Sequence, residues 1–131
     1  MNRLSQYAPY LYAVLRIVVG LLFAQHGSQK LFGIPGGQDP VPTLSLMGFA
    51  GVIELVGGIM IAIGLFTRIA AFLASGQMAV AYIMAHLPQG PWPILNKGES
   101  ALLFCLIFLY IFAQGGGIWS LDATQDRSRR V

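Results

Sequence analysis

Residues 49–68, FAGVIELVGGIMIAIGLFTR, make an apolar run of membrane-spanning length broken by one carboxylate, Glu54. A helix through this run brings Glu54 to one side with Ala50, Gly58 and Ala62, joined by Gly51 and Gly57. Small residues let helices approach closely in lipid. The face carrying Glu54 is therefore expected to turn into a protein interior rather than toward acyl chains. A carboxylate placed there needs a partner or a proton, and that partner must come from another segment of the chain.

Composition agrees with a membrane setting. The 131 residues are 56% hydrophobic and 10% charged, whereas soluble domains carry about 25% charged residues. No polar linker separates apolar blocks, so one unit over residues 1–131 is expected. The net charge of +3 reads as topology, because basic residues flank apolar spans. No basic stripe with interleaved aromatics lies on a polar scaffold, which argues against nucleic acid as a partner. Cys105 is the single cysteine; it can form neither an internal disulfide nor a CxxC pair, and it reads as packing. The N-terminal MNRLSQYAPYLY lacks a clear small-residue cleavage site, so the first span is expected to be retained.

The periodicity predicts spans over about 10–31, 46–66, 68–86 and 99–117, followed by a polar cytoplasmic tail over 118–131 with a poorly ordered end. Pro9 suits a first helical turn. GIPGGQDPVPTLS and LPQGPWPILNKG read as loops, the first long enough to fold over the end of a bundle. The turn at Thr67-Arg68 is so short that the second and third spans should form an antiparallel hairpin. The expected fold is all-α: an antiparallel four-helix bundle in the membrane, with two Pro/Gly-rich loops on its outer side. Arg3, Arg68 and three tail arginines face only Lys30 and Lys97 on the other side. The basic-residue rule then puts both termini in the cytoplasm.

This topology gathers His26, Lys30, His86 and Glu99 in the outer half, with Glu54 a few turns deeper. Arg16 and Arg68 lie toward the inner face, and Tyr110 falls on the Glu99 side of the fourth span. Two readings stay open. In one, Lys30 pairs with Glu99, and His26 or Arg16 pairs with Glu54, and the pairs do no more than fix register. Arg16 could equally snorkel to the nearby interface. In the other, a polar pocket opens outward beneath the loops. His26 and Glu54 would be its proton-exchanging, catalytic pair, and Arg16, Lys30, His86, Glu99 and Tyr110 would contact a ligand. No HxxxH, ExxH or CxxCH spacing is present, so no metal ligands are assigned.

The runs FAQHGSQKLFG, GFAGVIELVGGIMIAIGLFTRIAAFLA, GES and GGGIWSLD, in this order over about residues 15–122, resemble the DoxX family of small four-helix membrane proteins of bacteria and archaea. The resemblance implies a bacterial inner-membrane protein with cytoplasmic termini. It also implies a link to redox chemistry, since the family takes its name from an archaeal subunit tied to thiosulfate:quinone oxidoreductase and terminal-oxidase activity. The family pattern picks out His26, Gly27, Lys30, Glu54, Gly57, Gly58, Arg68 and Glu99 without assigning them catalytic roles. The leading expectation is an accessory subunit or small oxidoreductase handling a quinone-like ligand. Lys30 would hold its polar head and Glu99 would orient Lys30. The alternatives are a small-solute permease built as a homo-oligomer, and a membrane scaffold for a soluble redox partner protein. In every case the lipid bilayer is a partner, and the cofactor is left open, with a quinone as the candidate.

Overall fold

A computed structural model describes residues 3–131. Among them the chain is all-helical, with no strand. A 3-10 turn, Arg3–Tyr7, leads into α1 (Ala8–Phe32), followed by α2 (Leu46–Ile63) and α3 (Thr67–Ala81). The path of α3 continues through a π-helical turn, Tyr82–His86, and a 3-10 turn, Leu87–Gln89. Then come the short α4 (Pro93–Asn96), α5 (Glu99–Gln114) and α6 (Leu121–Ser128).

Three helical segments are long and apolar enough to cross a membrane: Arg3–Phe32, Leu46–Ile63 and Thr67–Gln89. The helix Glu99–Gln114 is apolar but shorter. Its 16 residues reach about 24 Å, against a hydrocarbon core of about 30 Å. The outward faces carry Leu11, Val18, Leu21, Val56, Phe72 and Leu109, all exposed, as a lipid-contacting surface requires.

The helix ends follow local chemistry. Ser45 caps α2 by accepting the Gly48 amide at 3.1 Å. The expected second span ends early, at Ile63, because Gly64 takes a left-handed conformation (φ 72°) that stops the helix. The fourth ends at Gln114, where Gly115 at φ 82° turns the chain. The stretch 93–96, expected as loop, makes a helical turn started by Pro93. The tail is also more structured than expected. Ser120 accepts the Ala123 amide at 3.2 Å and starts α6.

Helix α1 packs on α2, α2 on α3, and α3 on α5. The α1–α2 contact is a contact of backbones. A Cβ on Gly58 would stand 2.5 Å from the Ala24 amide nitrogen and the Gly20 carbonyl oxygen. A Cβ on Gly20 would stand 2.6 Å from the Ala62 amide nitrogen. Gly27 meets Gly51 and Leu55 in the same way one level along. Small residues on both helices thus set a close crossing. Phe23 of α1, Ile61 of α2, Ala71 and Ala74 of α3, and Phe108 and Ile111 of α5 fill a shared core without exposure.

Candidate functional site

The close α1–α2 crossing fixes how the last turn of α1 faces the middle of α2. Lys30 reaches across, and its Nζ lies 2.5 Å from Glu54 Oε1. Glu54 is 1% exposed, while the Lys30 side chain keeps 24% of its surface open. From α3, Gln77 Nε2 donates to the same Glu54 oxygen at 2.8 Å and to the Ala50 carbonyl at 3.4 Å. Both of these neighbours are acceptors, so the Gln77 amide is oriented with nitrogen toward them and oxygen away.

That arrangement leaves two oxygens over. Glu54 Oε2 and Gln77 Oε1 are buried and have no hydrogen-bond partner among the described residues. An unmet buried acceptor costs about 1–3 kcal/mol. One turn along the same face of α2, Gly57 is buried, yet a Cβ there would meet nothing within 4 Å. The carboxylate therefore sits beside a loosely filled part of an otherwise packed interior.

The histidines and Glu99 are not gathered here. His26 is exposed on α1, with its ring edge-on to Phe104 at 5.9 Å between centroids. His86 Nδ1 lies 3.0 Å from the Asn96 carbonyl oxygen. Asn96 is fully buried and holds this connection together, donating to Gly90 O at 2.9 Å and accepting the Gly98 amide at 2.8 Å. Glu99 is exposed in the first turn of α5. The pairings expected for the register reading are thus replaced. Lys30 binds Glu54, not Glu99, and neither His26 nor Arg16 meets Glu54 among the described residues.

Arg16 and Tyr110 lie at the opposite end, with α6. Arg16 is wholly buried. Its Nη1 donates to the Ile61 and Ala62 carbonyls at 2.7 Å each, and its Nη2 to Trp119 O at 2.8 Å and Ile118 O at 3.3 Å. It does not snorkel, and among the described residues it pairs with no carboxylate. It joins the open carbonyls at the end of α2 to the turn before α6, where a cation is favoured by the helix dipole. Tyr110 packs edge-on to Tyr12 at 5.9 Å, and Tyr12 donates its hydroxyl to Gly115 O. Arg68 donates to the Phe112 and Ala113 carbonyls at 2.9 and 2.8 Å and so closes α5.

Asp122 completes this end. It accepts the Phe66 amide at 2.8 Å, the Thr67 amide at 2.9 Å and the Thr67 hydroxyl at 2.6 Å. Burial pushes its carboxyl up, but the Thr67 hydroxyl, the two amides and the nearby Arg16 charge outweigh that and hold it below the usual value.

The sequence reading missed Gln77. Its available signal was an amide side chain following Ala70, Ala71 and Ala74 on the buried side of α3, where a polar group needs a partner. Among the described residues, His, Cys, Asp and Glu side chains do not gather in groups of three or more. The chemistry on offer is a charge-balanced carboxylate with one free, buried oxygen.

The chain is 46% identical over 129 residues to an uncharacterized protein of Haemophilus influenzae, covering 93% of this chain and 96% of that one. It is 29% identical to an uncharacterized membrane protein of Mycobacterium tuberculosis, with 82% of this chain and 77% of that one aligned. It is 28% identical to a Bacillus subtilis protein named "Putative oxidoreductase CatD", with 83% and 82% aligned. No solved structure gives a significant match. The DoxX family model matches residues 11–87, which takes in Arg16, the glycine crossing and the whole Lys30–Glu54–Gln77 cluster, and the chain belongs to the DoxX family.

Proposed function

We propose that this DoxX protein is an inner-membrane accessory component of a redox system, and that it binds a quinone-type ligand, in its hydroxyl-bearing form, at Glu54. In this reading four antiparallel spans cross the membrane with both termini in the cytoplasm, and a partner protein exchanges the electrons. One observation carries the proposal: among the described residues, two buried oxygens, Glu54 Oε2 and Gln77 Oε1, are left without a donor. Both are acceptors, so the complementary ligand is a donor. A hydroquinone hydroxyl meets that need; a quinone carbonyl does not.

A quinone–hydroquinone pair supplies two electrons and two protons when it turns over. The chain's own residues supply the rest. Glu54 Oε2 accepts the hydroxyl hydrogen, and Gln77 Oε1 offers a second acceptor that orients the ring. Lys30 balances the Glu54 charge as its ion-pair partner. The Lys30 side chain is partly open, which marks a polar way in. His26, one turn before Lys30 and exposed, is suited to pass a proton onward to water. The name of the Bacillus subtilis relative is consistent with a redox role.

Calorimetric titration of the purified protein with a short-chain hydroquinone and its matching quinone tests this. The hydroquinone should bind more tightly, and Glu54→Gln should remove that preference. Equal affinity for both forms, or a preference unchanged in Glu54→Gln, would overturn the assignment.

A further inference from the structure

A second feature lies at the far end of the molecule. A groove of about 890 Å³ runs between α6 and the start of α1, with Tyr10, Ile63, Ile118, Trp119, Thr124 and Arg127 among its walls. Trp119 is 60% exposed, and its ring stands edge-on to Tyr10 at 5.5 Å. The Trp119 backbone is left-handed, at φ 56°, an uncommon conformation for a bulky residue. It is held there by the Arg16 bond to its carbonyl. The strained turn presents an indole outward beside a tyrosine, at the level where apolar helix gives way to polar tail. Tryptophan and tyrosine favour that level in a bilayer.

The charges of α6 are sorted between its two sides. Ser120, Ala123, Thr124 and Arg127 recur at helical spacing and line this groove. Both acids of α6, Asp122 and Asp126, line a separate groove together with Arg68 and Arg129. Among the described residues that line it, the aromatic groove has Arg127 as its charged wall and no carboxylate. Among the described residues, the Arg127 guanidinium enters no hydrogen bond or ion pair.

We propose that this groove is a binding site for one anionic phospholipid of the bilayer. Arg127 holds the phosphate-bearing headgroup, and Tyr10 and Trp119 pack on the glycerol and the upper acyl carbons. A net-neutral headgroup would bring a second cation to a wall that already carries one, so the charge favours phosphatidylglycerol over phosphatidylcholine. This site is separate from Glu54 and stands or falls independently of any redox role.

Native mass spectrometry of the full chain, released from detergent with equal phosphatidylglycerol and phosphatidylcholine, tests it. Wild type should retain phosphatidylglycerol in preference. Arg127→Gln should lower that selectivity about fivefold, the effect of one basic residue at an anionic surface. Arg129→Gln removes the same charge from the other groove and should leave selectivity unchanged. Equal retention of the two lipids by wild type would overturn the proposal. So would an equal loss in Arg127→Gln and Arg129→Gln, which would reveal diffuse attraction by a basic tail.

Discussion

Asp122 and Thr67 stand 55 positions apart in the chain, yet one carboxylate closes the start of α3 by taking both the hydroxyl and the amide of Thr67. The left-handed backbone of Phe66 (φ 46°) turns its own amide to the other oxygen of the same carboxylate. Helix α6 is thereby anchored to the turn between α2 and α3, and the tail becomes part of the fold.

Asp122→Asn should therefore cost about 1–2 kcal/mol at neutral pH, the usual worth of a helix cap. The pH dependence has a definite sign. Because the folded carboxyl titrates below its unfolded value of about 3.9, its stabilisation is present above that value and disappears as pH falls through the lower, folded one. Thermal unfolding in detergent should show the wild-type midpoint dropping on acidification and converging on that of Asp122→Asn. Parallel curves for the two proteins would assign the acid sensitivity to another group.

Two neighbouring glycines of α2 should behave oppositely. Gly58→Ala drives a methyl into the backbone of α1, and overpacking of this kind costs about 1–3 kcal/mol. Gly57→Ala enters open space and should be neutral or gain up to about 1 kcal/mol from reduced unfolded-state entropy. Size-exclusion profiles and unfolding midpoints of the two variants check this directly. The same Gly57→Ala protein should bind a hydroquinone more weakly, because the methyl occupies the space beside Glu54.

Arg16→Lys should be poorly tolerated even though charge is kept. A planar guanidinium reaches the end of α2 and the turn before α6 together, whereas an ammonium is a point donor. Losing the bonds to one of the two segments should cost on the order of 3 kcal/mol. The loss should appear as a lower unfolding midpoint, with hydroquinone affinity of the surviving folded fraction unchanged, since Arg16 lies at the far end from Glu54.

How much of this was legible in the chain depends on the kind of signal. The small-residue face of α2 at Gly51 and Gly58 was readable because helical spacing alone puts them on one side. The inward turn of Glu54 was readable because it shares that side. Which base would meet Glu54 was not, since Lys30, His26 and Arg16 all lie on one helix. The choice depends on the depth at which α1 crosses α2, a tertiary quantity set by glycine contacts. Arg16 was misread for a related reason. Its partners are backbone carbonyls made available by a helix ending at Ile63, and no side-chain pattern announces them. Gln77 lacked a formal charge and drew no notice, although burial makes an amide as demanding of partners as an ion pair is of balance.

The Lys30–Glu54 pair should respond asymmetrically to removal of its members. Lys30→Met strands a carboxylate that is 1% exposed, and breaking a buried pair from that side costs about 3–5 kcal/mol. Glu54→Leu leaves a lysine whose side chain already has 24% of its surface open, so the ammonium can turn to water and the loss should be smaller. The double variant Lys30→Met/Glu54→Leu should recover much of the Lys30→Met loss, because no charge is left buried. A double-mutant cycle from unfolding midpoints at neutral pH should then give a coupling of about 1–3 kcal/mol. Equal losses in the two single variants, or no measurable coupling, would mean that the carboxylate is better solvated than its surroundings imply, and the case for a ligand at its second oxygen would fall with it.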